Sequence, residues 1–318
     1  VNANIDFKVS IVDDPAYDSY FLTDVSLILV DASATTSGGV AASETVLDTP
    51  PGPAQNPALA SLSVAKQDGD GGTQIIDDAV FAAVKDGRVT HGILPIENTI
   101  GGTIHRNYDL MLEYDDLLIV AEVKHAIVHN LIVSEETNIE GVRKVFSHPQ
   151  GLAQCERYLR TLKNVEIVAN YDTAGSAKMI REQGLVDSAA IASERAARIF
   201  GLKIIAEGIQ DFPDNFTRFL VVARDSGPVD LADKTTIVFR LPNEAGALFK
   251  ALSVFALRDI ELTKLESRPI PTRPFEYLFY ADISANRTDL RCARALKHLA
   301  EFAPSLRTLG SYPTWKGS

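Results

Sequence analysis

From residue 75 to residue 222 the chain alternates short apolar runs with amphipathic stretches, and this alternation restricts its fold more than any other feature. The runs are 92–96, 117–123, 127–133, 144–146, 165–169, 189–192, 204–206 and 219–222. All have strand length. Between them Ile76, Ala79, Val80, Ala83 and Val84 recur at helical spacing, and 152–162 and 175–180 are amphipathic in the same way. Strands that alternate with helices give an α/β architecture. The strand-to-helix junctions recur in two halves, which predicts two lobes of open sheet facing one another across a cleft, with ligand at the C-terminal ends of the strands.

After residue 224 the pattern changes. Ser226, Gly227 and Pro228 mark 225–234 as a linker. Ile237, Phe239 and Leu241 then alternate as a strand, and Leu248, Ala251, Leu252 and Phe255 take helical spacing. Residues 261–269 are extended, and Phe275, Tyr277, Phe279, Ala281 and Ile283 alternate again. Thr288 is placed to cap a helix carrying Leu290, Ala293, Leu296 and Leu299, and 306–312 closes the series. The order β-α-β-β-α-β is the ferredoxin-like unit. At the other end, 8–12 reads as a strand, and 31–74 is rich in Ala, Ser, Thr, Gly and Pro, as an insertion or linker is. The domains expected are therefore 1–224, containing the 31–74 insertion, the 225–234 linker, and 235–318. A length of 318 residues suits two domains.

Charge and cysteine content remove whole classes of function. The net charge of −11 opposes binding to a phosphate backbone, so nucleic acid is not an expected partner. Cys155 and Cys292 are too few and too far apart for a disulfide framework or a thiolate metal site, and a reducing, intracellular setting is expected. No apolar run is long enough to span a membrane, so a soluble chain is expected. The six histidines lack the spacing of zinc ligands; His125 and His129 are four apart within an extended apolar stretch and read as core or surface side chains. Walker and dinucleotide-binding motifs are absent from the sequence. No metal is expected, and kinase and dehydrogenase readings lose their main support.

Polar clusters sit at the strand-to-helix junctions. Glu97, Asn98 and Thr99 follow the run ending at Ile96, with Gly101 and Gly102 allowing close approach to the backbone. Ser147, His148, Pro149 and Gln150 follow Phe146, and Asp172, Thr173, Ala174, Gly175 and Ser176 follow 165–169. Each cluster is explained either by helix capping or by a shared pocket for an anion. A further cluster, Asn215, Phe216, Thr217, Arg218 and Phe219, puts a hydroxyl and a guanidinium at the start of a strand.

Taken in order, LPIENT at 94–99, GTIHRNYDL at 102–110, SHPQ at 147–150, DTAGS at 172–176 and NFTRF at 215–219 resemble the prephenate dehydratase family, including the plant-type arogenate dehydratases. The match runs over 75–313. Residues 235–318 resemble the family's ACT regulatory domain, with GALF at 246–249 and ESRP at 266–269. The resemblance implies a two-lobed catalytic domain, like a periplasmic binding protein, that takes water and carbon dioxide from prephenate or arogenate without a cofactor. It implies Thr217 and Arg218 as catalytic residues, with Arg218 on a substrate carboxylate. It also implies substrate binding by Asn98, Thr99, Gly101, Ser147, Gln150, Thr173, Ala174, Ser176 and Phe219. Phenylalanine, the implied effector, would bind at Asn243, Gly246, Ala247 and Leu248, with Glu266, Ser267, Arg268 and Pro269 of a second copy across a homodimer or tetramer interface. The implied compartment is the plastid stroma or the cytoplasm. At the N-terminus, Tyr20 stands where the family pattern has an acidic residue, and Thr99 replaces a commoner serine. The alternative role is that of a dehydratase-like chain that senses phenylalanine or serves as a structural subunit, gripping a protein partner through 31–74.

Overall fold

The computed structural model describes residues 29–30, 72–226, 229–270 and 273–316. The expected strand at 8–12, the loop at 13–23 and nearly all of the 31–74 insertion lie outside the described residues. Residues 72–74 do not belong to an insertion, because they open the first helix, α1 (Gly72–Lys85).

The first lobe is built on β1 (Leu29–Val30), β2 (His91–Asn98), β3 (Gly102–Thr103), β4 (Leu118–Ala126) and β10 (Phe216–Ala223). Its order is β1-β2-β10-β4, with β3 paired to β2, and these pairings are antiparallel. Strand β10 thus lies between β2 and β4 although it comes from the far end of the two-lobed region. Helices α1 and α2 (His105–Glu113) cover one face, where Val80, Phe81, Val84, Tyr108 and Leu110 pack on Leu94, Ile96, Leu220 and Val222. Gly92 is required there, since a Cβ would stand 3.0 Å or less from the methyl groups of Val80 and Val84.

The second lobe is a five-stranded sheet of order β7-β6-β8-β5-β9, from β5 (Asn130–Val133), β6 (Lys144–Ser147), β7 (Glu166–Ala169), β8 (Ser188–Ala192) and β9 (Lys203–Ala206). Strand β8 is wholly buried because both faces are covered, which is why it reads as an unbroken apolar run. Leu131, Val133, Ala189 and Ile191 face one core, and Ile132, Ala190 and Ala192 face the other. The expected helix at 152–162 divides at Cys155 into α3 (Pro149–Gln154) and α4 (Glu156–Leu159). Helix α5 (Thr173–Gln183) starts on the Asp172 carboxylate and ends at Gly184 in the left-handed region, and α6 (Glu194–Phe200) starts on Ser193 and ends at Gly201 in the same way.

Two crossovers join the lobes, residues 127–129 and 207–215. They are tied to their surroundings by Ile127 N–H to Asn215 O (2.7 Å) and Ile209 N–H to His129 O (2.8 Å). Residues 127–129, expected to be strand, belong to this hinge.

The C-terminal unit follows the expected order: β11 (Lys234–Arg240), α7 (Ala247–Ala256), β12 (Leu262–Ile270), β13 (Arg273–Ile283), α8 (Leu290–Ala300) and β14 (Ser305–Tyr312). Its antiparallel sheet has the order β14-β11-β13-β12. Two helices cover one face. The other face joins the first lobe's core through Val238, Tyr280, Leu309 and Tyr312. Strand β14 meets β4 in parallel at Gly310 opposite Ile119, so among the described residues a nine-stranded sheet passes from the first lobe into this unit.

Candidate active site

Strands β2 and β10 place Asn98 directly opposite Thr217, both buried. The Asn98 side chain has only one available orientation. Its Oδ1 accepts from the backbone N–H groups of Ile100 (3.0 Å) and Gly101 (2.7 Å), so its amide nitrogen must face the other way. That Nδ2 donates to Asn215 Oδ1 (2.9 Å) and Thr217 Oγ1 (3.1 Å). Thr217 therefore accepts from Asn98 and keeps its own hydroxyl proton to donate, because a hydroxyl carries one donor and two acceptor positions.

The second lobe brings Gln150 and Gln154 from α3, four residues apart and so on one helical face. Gln154 Oε1 accepts from Asn215 Nδ2 (2.9 Å) and lies 2.7 Å from His129 Nε2. Gln150 Nε2 lies against Gly101, where any side chain would overlap it. A side chain at 101 would push the Gln150 amide aside, so glycine there lets Gln150 keep this position. A Cβ at Gly151 would touch Ser147 Oγ (2.9 Å), Thr173 Cγ2 (3.3 Å) and His129 Cε1 (3.8 Å), which shows how closely these side chains gather around that position. Ser147 Oγ donates to Ile191 O (2.8 Å). Burial lowers the His129 pKa, opposed by its bond to Gln154, and burial also lowers that of His148.

Of the residues expected at the site, the structure gathers Asn98, Gly101, Ser147, Gln150, Thr173 and Thr217. Others are placed differently. The Thr99 hydroxyl donates to Asp214 O (2.8 Å) and accepts from Phe216 N–H (2.9 Å), securing the start of β10. The Ala174 N–H is taken by Asp172 Oδ1 (2.9 Å) and the Ser176 hydroxyl by Asp172 O (2.7 Å), so at these two positions capping accounts for the motif. Phe219 packs among Ile93, Val120, Val123 and Val221. Asn215 joins the site from the NFTRF motif, and Gln154 and His129 join it from outside the motifs. The signal for Gln154 was its place one turn after Gln150. For His129 the signal was an imidazole inside an otherwise apolar run.

Arg218 is not brought to this cluster. Adjacent strand residues face opposite ways, and Arg218 turns toward the C-terminal unit. Its Nε donates to Glu122 Oε2 (2.7 Å), Nη1 to Asp282 Oδ2 (2.5 Å) and Nη2 to the Tyr312 hydroxyl (3.0 Å). Lys234 Nζ donates to both oxygens of Glu122 (2.8 and 2.9 Å). Burial alone would lower the Arg218 pKa, but Tyr312, Asp282 and Glu122 raise it. Burial would raise that of Glu122, but Arg218 and Lys234 lower it.

The expected effector residues also divide by face. Gly246 caps α7 with φ +80°, and with Ala247 and Leu248 it lies on the helical side of the C-terminal sheet. Asn243 precedes it in the loop after β11. Glu266 and Arg268 pair with Tyr280 and Leu278, which face the first lobe. There Arg268 Nη2 donates to Asp109 Oδ2 (2.5 Å), and Glu266 Oε2 accepts from Thr103 Oγ1 (3.0 Å). Ser267 and Pro269 alternate to the opposite face of β12 and are exposed.

The profile of the family described as prephenate dehydratase matches residues 62–227. The chain is 51% identical over 249 residues to a chloroplastic arogenate dehydratase/prephenate dehydratase of Arabidopsis thaliana; the match covers 74% of this chain and 64% of that protein, so this chain spans about two thirds of the relative's length. A solved prephenate dehydratase from Arthrobacter aurescens, in complex with L-Phe, is 33% identical with a TM-score of 0.65, over 73% of this chain and 77% of that one. A solved structure of GqqA, described as a novel type of quorum-quenching acylase, is 31% identical with a TM-score of 0.68, over 75% of this chain and 87% of that one. With a family profile that matches more than half of its length, and with solved members sharing its two-lobed fold, the chain belongs to the prephenate dehydratase family.

Proposed function

We propose that this chain carries out the decarboxylative dehydration of prephenate or arogenate. The observation that supports this best is the Thr217 hydroxyl, oriented by Asn98 so that its proton is free for donation. In the reaction the bond between ring carbon C1 and its carboxylate breaks and its electron pair moves through the ring. The C4–O bond breaks at the other end, giving carbon dioxide, water and an aromatic ring. The departing C4 hydroxide needs a proton, and Thr217 supplies or directs it as a general acid. The second carboxylate of the substrate is held by Gln150 and by Thr173 at the start of α5, beside Gly151. Arg218 supports the strand that carries Thr217 and does not bind substrate. Among the described residues no helix is long and apolar enough to cross a membrane, and the chloroplastic relative supports a plastid setting.

The C-terminal βαββαβ unit is read as an ACT domain that binds L-phenylalanine, supported by the left-handed Gly246 at the start of α7 and by the L-Phe complex of the Arthrobacter protein. A homodimer would complete that site.

Thr217→Val keeps the shape and removes the donor. Product formation from prephenate and arogenate should fall by about 100-fold or more in kcat with KM little changed. Wild-type kcat in the variant would remove Thr217 from the mechanism, and absence of turnover of both substrates by the wild type would overturn the proposed activity.

A further inference from the structure

Four buried hydrogen bonds run from Thr217 across the hinge to His129. They are Asn98 Nδ2 to Thr217 Oγ1 (3.1 Å), Asn98 Nδ2 to Asn215 Oδ1 (2.9 Å), Asn215 Nδ2 to Gln154 Oε1 (2.9 Å) and the His129 Nε2 contact with that same Oε1 (2.7 Å). The sense of the chain is set at one end, because two backbone N–H groups hold Asn98 Oδ1 and leave Nδ2 as the atom facing Asn215. Asn215 must answer with its oxygen, so its nitrogen faces Gln154. Gln154 must in turn answer with its oxygen. The nitrogen of His129 that meets this oxygen therefore has to carry a hydrogen. Any other tautomer would turn the Gln154 amide over, set two donors against each other at Asn215, and conflict with the pinned Asn98.

We infer that His129 is a positioning residue for the reaction: as the Nε2–H tautomer it gives Gln154 Oε1 its second donor and locks the carboxamide chain that aims the Thr217 hydroxyl. This rests on the proposed role of Thr217. The location of the chain gives it purpose. His129 lies on the first crossover, Asn215 on the second, Gln154 in the second lobe, and Asn98 and Thr217 in the first. The chain thus sets the helix that carries Gln150 in register with the strand that carries Thr217. The His129 backbone is itself fixed, since its N–H donates to Gln210 Oε1 (3.0 Å) and its carbonyl accepts from Ile209 N–H (2.8 Å). Its Nδ1 is buried with no partner among the described residues, as suits a neutral ring with the hydrogen on Nε2.

The test has a spectroscopic and a kinetic arm, both on the full chain. With 15N-labelled histidine, one imidazole should show the Nε2–H tautomer and vanish from the spectrum of His129→Gln. An Nδ1–H tautomer or an imidazolium at neutral pH would overturn the inference, and this result does not depend on turnover. In the kinetic arm, His129→Phe should lower kcat about ten-fold with KM within two-fold of wild type. His129→Gln, which keeps an N–H donor near the place of Nε2, should recover most of the loss. In a Thr217→Val background His129→Phe should cost nothing further, since the chain then has no hydroxyl to aim. Unchanged kcat in His129→Phe, failure of a folded His129→Gln to recover, or an equal loss in the Thr217→Val background would each overturn the role. A wild type that turns over neither substrate would defeat the proposed activity, while the tautomer measurement would still decide the geometry.

Discussion

Thr217 and Arg218 are neighbours in sequence and face opposite ways on one strand, so they serve different ends. Thr217 meets Asn98. Arg218 and Lys234 together balance the buried Glu122 and Asp282 at the junction of β10, β4 and the C-terminal strands, and Glu97 adds a longer contact to Arg218 (3.9 Å). Removing one member leaves buried charge without compensation, which costs far more than the intact group contributes. Arg218→Met should therefore lower unfolding stability by about 3–5 kcal/mol, measured by urea denaturation, while the folded fraction keeps near-native KM. An Arg218→Lys variant with raised KM and an unchanged denaturation midpoint would instead restore a direct role on the substrate.

At the scale of elements, the contact between β14 and β4 decides how the C-terminal unit sits. It passes through Gly310, where an added Cβ would collide with the Ile119 carbonyl and lie 2.7 Å from the Ile119 Cβ. Backbone cannot move aside as a flexible side chain can. Gly310→Val should separate the strands at a cost of about 1–3 kcal/mol, lower the melting temperature and raise the rate of proteolysis between the two parts. A digestion pattern and melting temperature equal to wild type would show that the two parts are held elsewhere, for instance by Lys264 with Glu97 (3.1 Å) and Arg268 with Asp109.

At the scale of the whole molecule, ionisable groups whose pKa shifts on folding set the response to acid. His91, His125, His129 and His148 all have pKa values lowered by burial from 6.5. Below 6.5 the unfolded chain takes up protons that the folded chain resists, so stability falls as the pH drops through this range. The depressed pKa of Glu122 adds a second loss below about 4.5, its unperturbed value. The denaturation midpoint should be level between pH 7 and 8, decline from about 6.5 and decline again below about 4.5. His129→Gln should flatten part of the first decline, and a slope identical to wild type would mean that His129 does not titrate differently on folding. Both thiols are buried, and burial pushes Cys155 up to about 12 and Cys292 to about 11, which keeps them protonated across this range.

The spacing of apolar residues was sufficient for the two-lobed sheet, for the βαββαβ order and for the placing of Asn98, Gln150 and Thr217 at junctions, because these depend on local periodicity and on residue types that suit a cap or a strand start. Periodicity does not say which element lies beside which. Asn98 finds Asn215 117 residues away, Asn215 finds Gln154 61 residues away, and Arg218 finds Asp282 across 64. The irregularity of register between Arg218 and Phe219 further changes what each side chain meets. The capping chemistry of Asp172 was written in the motif, yet only the fold showed that it satisfies the Ala174 and Gly175 N–H groups. In the sequence His129 reads as a core or surface side chain, and its link to Thr217 exists only once two crossovers lie side by side. The sequence by itself determined the elements and the residue types at their ends; tertiary packing decided which face Arg218 takes and which amides form the chain to Thr217, because hydrogen-bond partners distant in sequence are chosen by the geometry of the assembled lobes.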